Sequence, residues 1–195
     1  GESKSVSLHL KRLTDGEAEQ PTKANFIQAF DHFNAAGKGD TCLFYYSGHG
    51  SFSPAPIEFW TDTNGSVQSF VCIDSRLEGG RDLMDKEVSF LIWKLMKDKP
   101  ETDFVAITDC CHSGTITKAL DDSGIVDRMV PGLSFPDKVE EYLGYDFQSG
   151  NERAYVSSTD LSSGKTRVTV RQAGHIHLAA SRDNQTAKEL SIDGK

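Results

Sequence analysis

Two short apolar runs limit most strongly how this chain can fold. Cys42 to Tyr46 and Phe104 to Ile107 are rich in strand formers and too short for helices. A run that is apolar throughout, rather than alternating, belongs in a sheet buried on both faces. Amphipathic stripes separate these runs. Phe26, Ile27, Phe30 and Phe33 recur at helical spacing after Thr22, a good N-cap, and before Gly37 and Gly39. Val88, Leu91, Ile92, Leu95 and Met96 form a second stripe, with Asp85 as a capping residue and Pro100 past its end. Strands alternating with helices predict an α/β fold: a mainly parallel central sheet with helices on both faces, a three-layer sandwich with right-handed crossovers.

The remaining segments fit around that frame. Val6, Leu8 and Leu10 alternate with polar residues, as in a half-buried strand. Ser51 to Asp62 reads as loop, Asn64-Gly65 as a hairpin turn, and Phe70 to Ile73 as a short strand. Arg76 to Arg81 reads as flexible, and Thr115 to Leu120 as a short helix. Residues 121–150 are long for a plain loop and are expected to be a mobile insertion or functional segment. Ala154 to Ser157, Lys165 to Arg171 and Ile176 to Ala180 read as strands, and Asp183 to Leu190 as a helix.

Composition narrows the class. The 195 residues suit one domain, with 37% hydrophobic and 26% charged residues, as in soluble globular proteins. A net charge of −8 argues against a nucleic-acid surface and suits basic substrates or partners. No apolar run reaches the roughly 20 residues of a membrane span, and no secretory leader is expected. Adjacent Cys110 and Cys111 make a two-disulfide pattern awkward, so a reducing, cytoplasmic setting is expected.

The chemistry concentrates where the two apolar runs stop. Ser47-Gly48-His49-Gly50 follows the first run, and Asp109-Cys110-Cys111-His112 follows the second. In open parallel sheets, ligands bind at the carboxyl ends of strands. A cysteine there, close to a helix start, gains thiolate character. If the strands are parallel neighbours, His49 and a cysteine emerge on one sheet edge as nucleophile and proton carrier. Gly50 lets the backbone approach a substrate carbonyl, and its N–H is an oxyanion donor candidate. Neighbouring strand residues point to opposite faces, so either Cys110 or Cys111 can be the nucleophile on this reasoning. Asp109 reads either as a cap for the following turn or as a pocket wall. Zinc is disfavoured, because adjacent Cys110, Cys111 and His112 converge poorly on one tetrahedral ion. Cys42 and Cys72 read as core residues.

Tyr45-Tyr46-Ser47-Gly48-His49-Gly50 and Asp109-Cys110-Cys111-His112-Ser113-Gly114 resemble the two catalytic motifs of caspase-like cysteine peptidases, the metacaspase branch in particular. Asp183-Asn184-Gln185-Thr186 resembles a third segment, and the likeness runs roughly from Val6 to Glu189. The resemblance implies Cys111 as nucleophile, His49 as general acid or base, and oxyanion N–H groups from Gly50 and Cys111. It places Asp109 and Ser47 in the first specificity pocket. Caspases that cut after aspartate carry glutamine where this chain has Asp109. A carboxylate there repels acidic side chains and pairs with Lys or Arg, the residues after which metacaspases cut. The implied substrate is a protein or peptide with a basic residue before the cleaved bond, and neither nucleic acid nor membrane is implied.

The resemblance also predicts one catalytic domain over 1–195 that is an incomplete fragment. The family's first strand and its C-terminal small-subunit part are missing from it, so the rest of the same protein, or its cleaved second chain, is an expected partner. No cofactor is needed for the chemistry, and calcium enters only as an activator. Asp62, Asp74, Asp82, Asp85 and Glu87 lie between the motifs but match no calcium-loop spacing, and Lys118 stands where some relatives place an acid. The competing readings are a caspase-like scaffold module within a signalling or defence assembly and a cysteine-dependent hydrolase of another kind, such as an amidase.

Overall fold

The computed structural model describes residues 6–60, 65–110, 125–127, 130, 138–180 and 188–190. Thr22 starts the first helix as its sequence predicts: its Oγ1 accepts the Asn25 N–H at 3.1 Å, which satisfies one of the orphan donors of α1, Lys23–Ala29. The chain then tightens into a 3-10 turn, Phe30–Ala35, before entering β1, Thr41–Ser47. After β1 come β2, Gly50–Pro54, and β3, Ser66–Phe70. The short β4, Leu83–Met84, leads directly into α2, Asp85–Met96, and β5 is Asp103–Asp109. Seven short strands complete the set: β6, Ile125–Asp127; β7, Gln148–Ser149; β8, Glu152–Arg153; β9, Tyr155–Thr159; β10, Thr166–Val170; β11, Ile176–Ala179; and β12, Lys188–Leu190.

The central sheet is parallel, in the order β1-β5-β11, so the fold is α/β as the alternation of runs and stripes predicts. Cys42 and Phe44 of β1 and Phe104 and Ala106 of β5 share one face, which packs on the first helix and the turn after it. Phe26 meets Phe44 edge-on at 5.4 Å, and Phe30 stacks on Phe104 at 6.4 Å. Each buried aromatic ring of this kind contributes roughly 1.5–3 kcal/mol from apolar burial. The opposite face carries Leu43 and Tyr45, Val105 and Ile107, and Ile176 and Leu178 in register. Its outer residues stay open, with Leu43 55%, Tyr45 59%, Ile176 58% and Leu178 54% exposed.

Beyond this sheet, β2, β3 and β4 form an antiparallel sheet, and β9 pairs with β10. Gly65 leads into β3 with φ +62, a left-handed conformation that favours glycine, while Asn64 of the hairpin signal lies outside the described residues. Glu87 ties the parts together. Its Oε2 accepts the Met84 N–H and the Lys23 ammonium at 2.9 and 2.7 Å, and its Oε1 accepts the Leu143 N–H at 3.0 Å. The carboxylate is buried, so it requires all three donors.

Five expectations change. The strand read over Phe70 to Ile73 instead spans Ser66–Phe70, because pairing with Gly50–Pro54 sets its bounds. Val6, Leu8 and Leu10 take no regular secondary structure and are 91%, 83% and 75% exposed; alternation alone cannot supply a partner strand. Residues read as loop after Gly50 form β2, because Ser51 and Ser53 alternate inward despite being polar. Residues 138–150, expected within a mobile insertion, pack into the core instead. Val139 and Tyr142 are buried, and Phe147 meets Phe90 at 5.3 Å. Lys188–Leu190, expected to be helical, pairs as a strand with β6. Residues 121–124, 128–129 and 131–137, the short helix expected after Ser113, and the Asp183-Asn184-Gln185-Thr186 segment lie outside the described residues, as does Ser181.

Candidate active site

The two reactive segments follow neighbouring strands. β1 and β5 run parallel in unbroken register from Thr41 against Asp103 to Ser47 against Asp109. The carboxyl ends of both strands therefore reach the same sheet edge, where open α/β sheets place ligands. The ladder continues one step further, with the Gly48 N–H 3.4 Å from the Asp109 carbonyl. Ser47 is exposed and Asp109 half-buried, and both belong to the face of Tyr45 and Ile107.

His49 lies in the two-residue step between β1 and β2, with its side chain exposed. Its carbonyl is held firmly: the Val71 N–H donates to it at 3.0 Å and the Tyr46 hydroxyl at 2.7 Å. Gly50 is buried and opens β2 opposite Phe70. Because the bond runs from Val71 N–H to the His49 carbonyl, Gly50 and Phe70 form a non-hydrogen-bonded pair. The Gly50 N–H is therefore not spent on β3 and points to the other side of β2. On that side the Gly50 carbonyl accepts the Val130 N–H at 3.1 Å.

Cys111 lies outside the described residues, as do His112 and Lys118. Cys110, its neighbour, is buried in the core at 2% exposure, and Cys42 and Cys72 are buried there too. All three are free thiols. Burial pushes the thiols of Cys42 and Cys72 up, the latter to about 12 with the Asp74 carboxylate adding to the effect. A thiol raised this way is a poor nucleophile at neutral pH.

Three of the acids considered for calcium have partners within the protein. Asp74 accepts the Lys23 N–H at 2.9 Å, and Asp82 pairs with Arg76 at 2.9 Å while accepting the Ser69 hydroxyl. Glu87 is held by Lys23. Basic partners already neutralise the last two, and Asp62 lies outside the described residues. Among the described residues no three His, Cys, Asp or Glu side chains converge as a metal site. Two signals went unread in the sequence. Tyr46 reaches back to the His49 backbone, and the exposed Arg76 reaches in to bond the buried Ser51 and Asp82, the latter also accepting the buried Ser69 hydroxyl. The tyrosine preceding Ser47-Gly48-His49 by one strand position was the available clue to the first.

A parallel sheet thus carries the two motif-bearing segments at the carboxyl ends of adjacent strands. The family description "Metacaspase, peptidase C14 domain" matches residues 2–120, which include both segments. The chain belongs to the metacaspase family. Its curated relatives include Metacaspase III c of Phaeodactylum tricornutum, 34% identical over 53% of this chain and 30% of the relative. Metacaspase-8 of Arabidopsis thaliana is 31% identical over 52% of this chain and 25% of its own length. Metacaspase-1A of Aspergillus terreus is 34% identical over 53% and 25%. The chain thus matches 25–30% of the length of these relatives. Among solved structures, protein GSU0716 from Geobacter sulfurreducens is 28% identical with a TM-score of 0.42, covering 57% of this chain and 38% of that one.

Proposed function

We propose that this chain carries the catalytic centre of a cysteine endopeptidase that cuts after Lys or Arg. The register of Ser47 beside Asp109 carries the reading, because it brings the two motif-bearing strand ends side by side. Cys111 thiolate bonds to the scissile carbonyl carbon. His49 gives a proton to the leaving amine as the C–N bond breaks, which leaves an acyl-enzyme. A water then attacks the thioester, passing its proton through His49 and releasing the acid and the thiol. The Gly50 and Cys111 N–H groups hold the oxyanion. Asp109, with Ser47 beside it, pairs with the basic side chain of the substrate. The chemistry needs no cofactor. The rest of the same protein or its cleaved second chain is the expected partner, and the reduced thiols suit the cytoplasm.

Incubating the longest natural form with peptides bearing Arg, Lys or Asp before the cleavable bond, with and without calcium, tests this. Cleavage after Arg or Lys is expected, lost by at least about a thousandfold in Cys111→Ala and His49→Ala. Asp109→Asn is expected to cost about 100-fold in kcat/KM for basic peptides. Cleavage after Asp would sink the role of Asp109. No cleavage at all, with no labelling of Cys111 by an electrophile, would favour a scaffold module instead.

A further inference from the structure

Gly48 is not among the glycines with positive φ, so its backbone conformation does not demand glycine. Space does. A Cβ built at Gly48 would lie 2.7 Å from the Tyr46 hydroxyl oxygen and 3.0 Å from Tyr46 Cζ. That phenol occupies the hollow under the turn between β1 and β2. Its hydroxyl lies 2.7 Å from the His49 carbonyl and 3.1 Å from the Val71 carbonyl, with one hydrogen to donate between them. The ring is wedged edge-on against Phe70 at 4.6 Å and lies 6.2 Å from Phe26.

We propose that Tyr46 is a positioning residue for His49, and that Gly48 is glycine to admit its hydroxyl. This rests on the reading of His49 as the catalytic acid and base. Only Gly48 and His49 separate the last residue of β1 from the first of β2, so the chain changes sheets in one step. The turn is pinned on the β5 side by the Gly48 N–H on Asp109 and on the β3 side by the Val71 N–H on His49. The Tyr46 hydroxyl is the side-chain contact that joins the parallel sheet to the His49 backbone itself. Because side-chain direction follows the backbone, a His49 carbonyl held by the Val71 N–H alone lets the imidazole swing away from its working orientation, and small displacements are costly in catalysis. Burial pushes the phenol well above its usual range, so it remains a donor throughout the working pH of a peptidase.

Tyr46→Phe removes the hydroxyl and keeps the ring packing. In the activated full-length protein it is expected to lower kcat about tenfold with KM within about twofold, while the thermal midpoint falls by only a few degrees. Gly48→Ala, whose methyl displaces the hydroxyl, is expected to lower kcat by about the same factor. Adding Tyr46→Phe to Gly48→Ala should cost nothing more, because both act through one hydroxyl. A folded Tyr46→Phe protein with unchanged kcat, or losses that multiply in the double variant, would overturn the proposal. Hydrogen exchange at the Val71 amide reads the same anchor without activity and should quicken about tenfold in Tyr46→Phe. Unchanged exchange overturns the anchor. An inactive wild-type protein whose Val71 exchange does respond would refute the peptidase reading and leave the anchor standing.

Discussion

At the residue scale, burial separates one class of cysteine from another. Cys42, Cys72 and Cys110 are enclosed, and the thiols of the first two are raised by desolvation. The sign follows directly for Cys72. Its folded value is pushed up to about 12 from an ordinary 9.0, so the unfolded chain loses its proton first as pH rises. Its contribution to stability is whole below about pH 9 and is lost as pH climbs toward 12. Burial raises the tyrosines 46 and 155 as well, so they act in the same direction. Urea midpoints measured across that range should fall with alkali, and Cys72→Ala should flatten the fall. A profile identical in Cys72→Ala would show that this thiol is not protected. The burial of Cys72 was legible from its place in an apolar run. Its neighbours Asp74 and Ser75, which shape its titration, were only assignable once the turn was seen.

At the element scale, Glu87 is the joint between the two helices. It lies in the first turn of α2, where a carboxylate also meets the positive end of the helix dipole. Lys23, its partner, is the first residue of α1. Glu87→Ala leaves the Lys23 ammonium and the Met84 and Leu143 N–H groups without their acceptor. The expected loss is roughly 3–5 kcal/mol by urea unfolding, and a loss below about 1 kcal/mol would mean that water replaces the carboxylate there. Glu87→Gln keeps the shape and should cost less. The sequence offered Glu87 only as a possible ion ligand, because a pairing 64 positions apart leaves no local trace. The helices themselves were legible: the stripes of Phe26 and Phe30 and of Val88 to Met96 are their buried faces.

At the scale of the whole molecule, the central sheet is unequally covered. The face of Phe44 and Phe104 is packed with aromatic rings, while Leu43, Tyr45, Ile176 and Leu178 remain exposed on the other. Contiguous apolar surface of this kind binds hydrophobic dyes and promotes association. The 195-residue chain should therefore enhance the fluorescence of anilinonaphthalene sulfonate. Leu43→Lys with Leu178→Lys should reduce that enhancement at least about twofold without lowering helix content. Equal dye binding in the double variant would place the apolar surface elsewhere. Val6, Leu8 and Leu10 add a second exposed apolar stretch, outside the sheets among the described residues.

By itself the sequence determined the α/β class, the helices α1 and α2, the strands β1 and β5 and the two segments that resemble the family's motifs. All of these rest on local periodicity and residue type, which act over a few positions of the chain. Tertiary structure decided what stands beside what: Ser47 against Asp109, Tyr46 beneath His49, Glu87 between two helices, and Val139 and Tyr142 in the core. It also decided that β2 is a strand, since Ser51 and Ser53 are buried by their neighbours rather than by their own polarity. The physical reason is the same in each case. Hydrogen bonds and packing between distant residues depend on which surfaces meet, and a one-dimensional pattern does not encode that meeting.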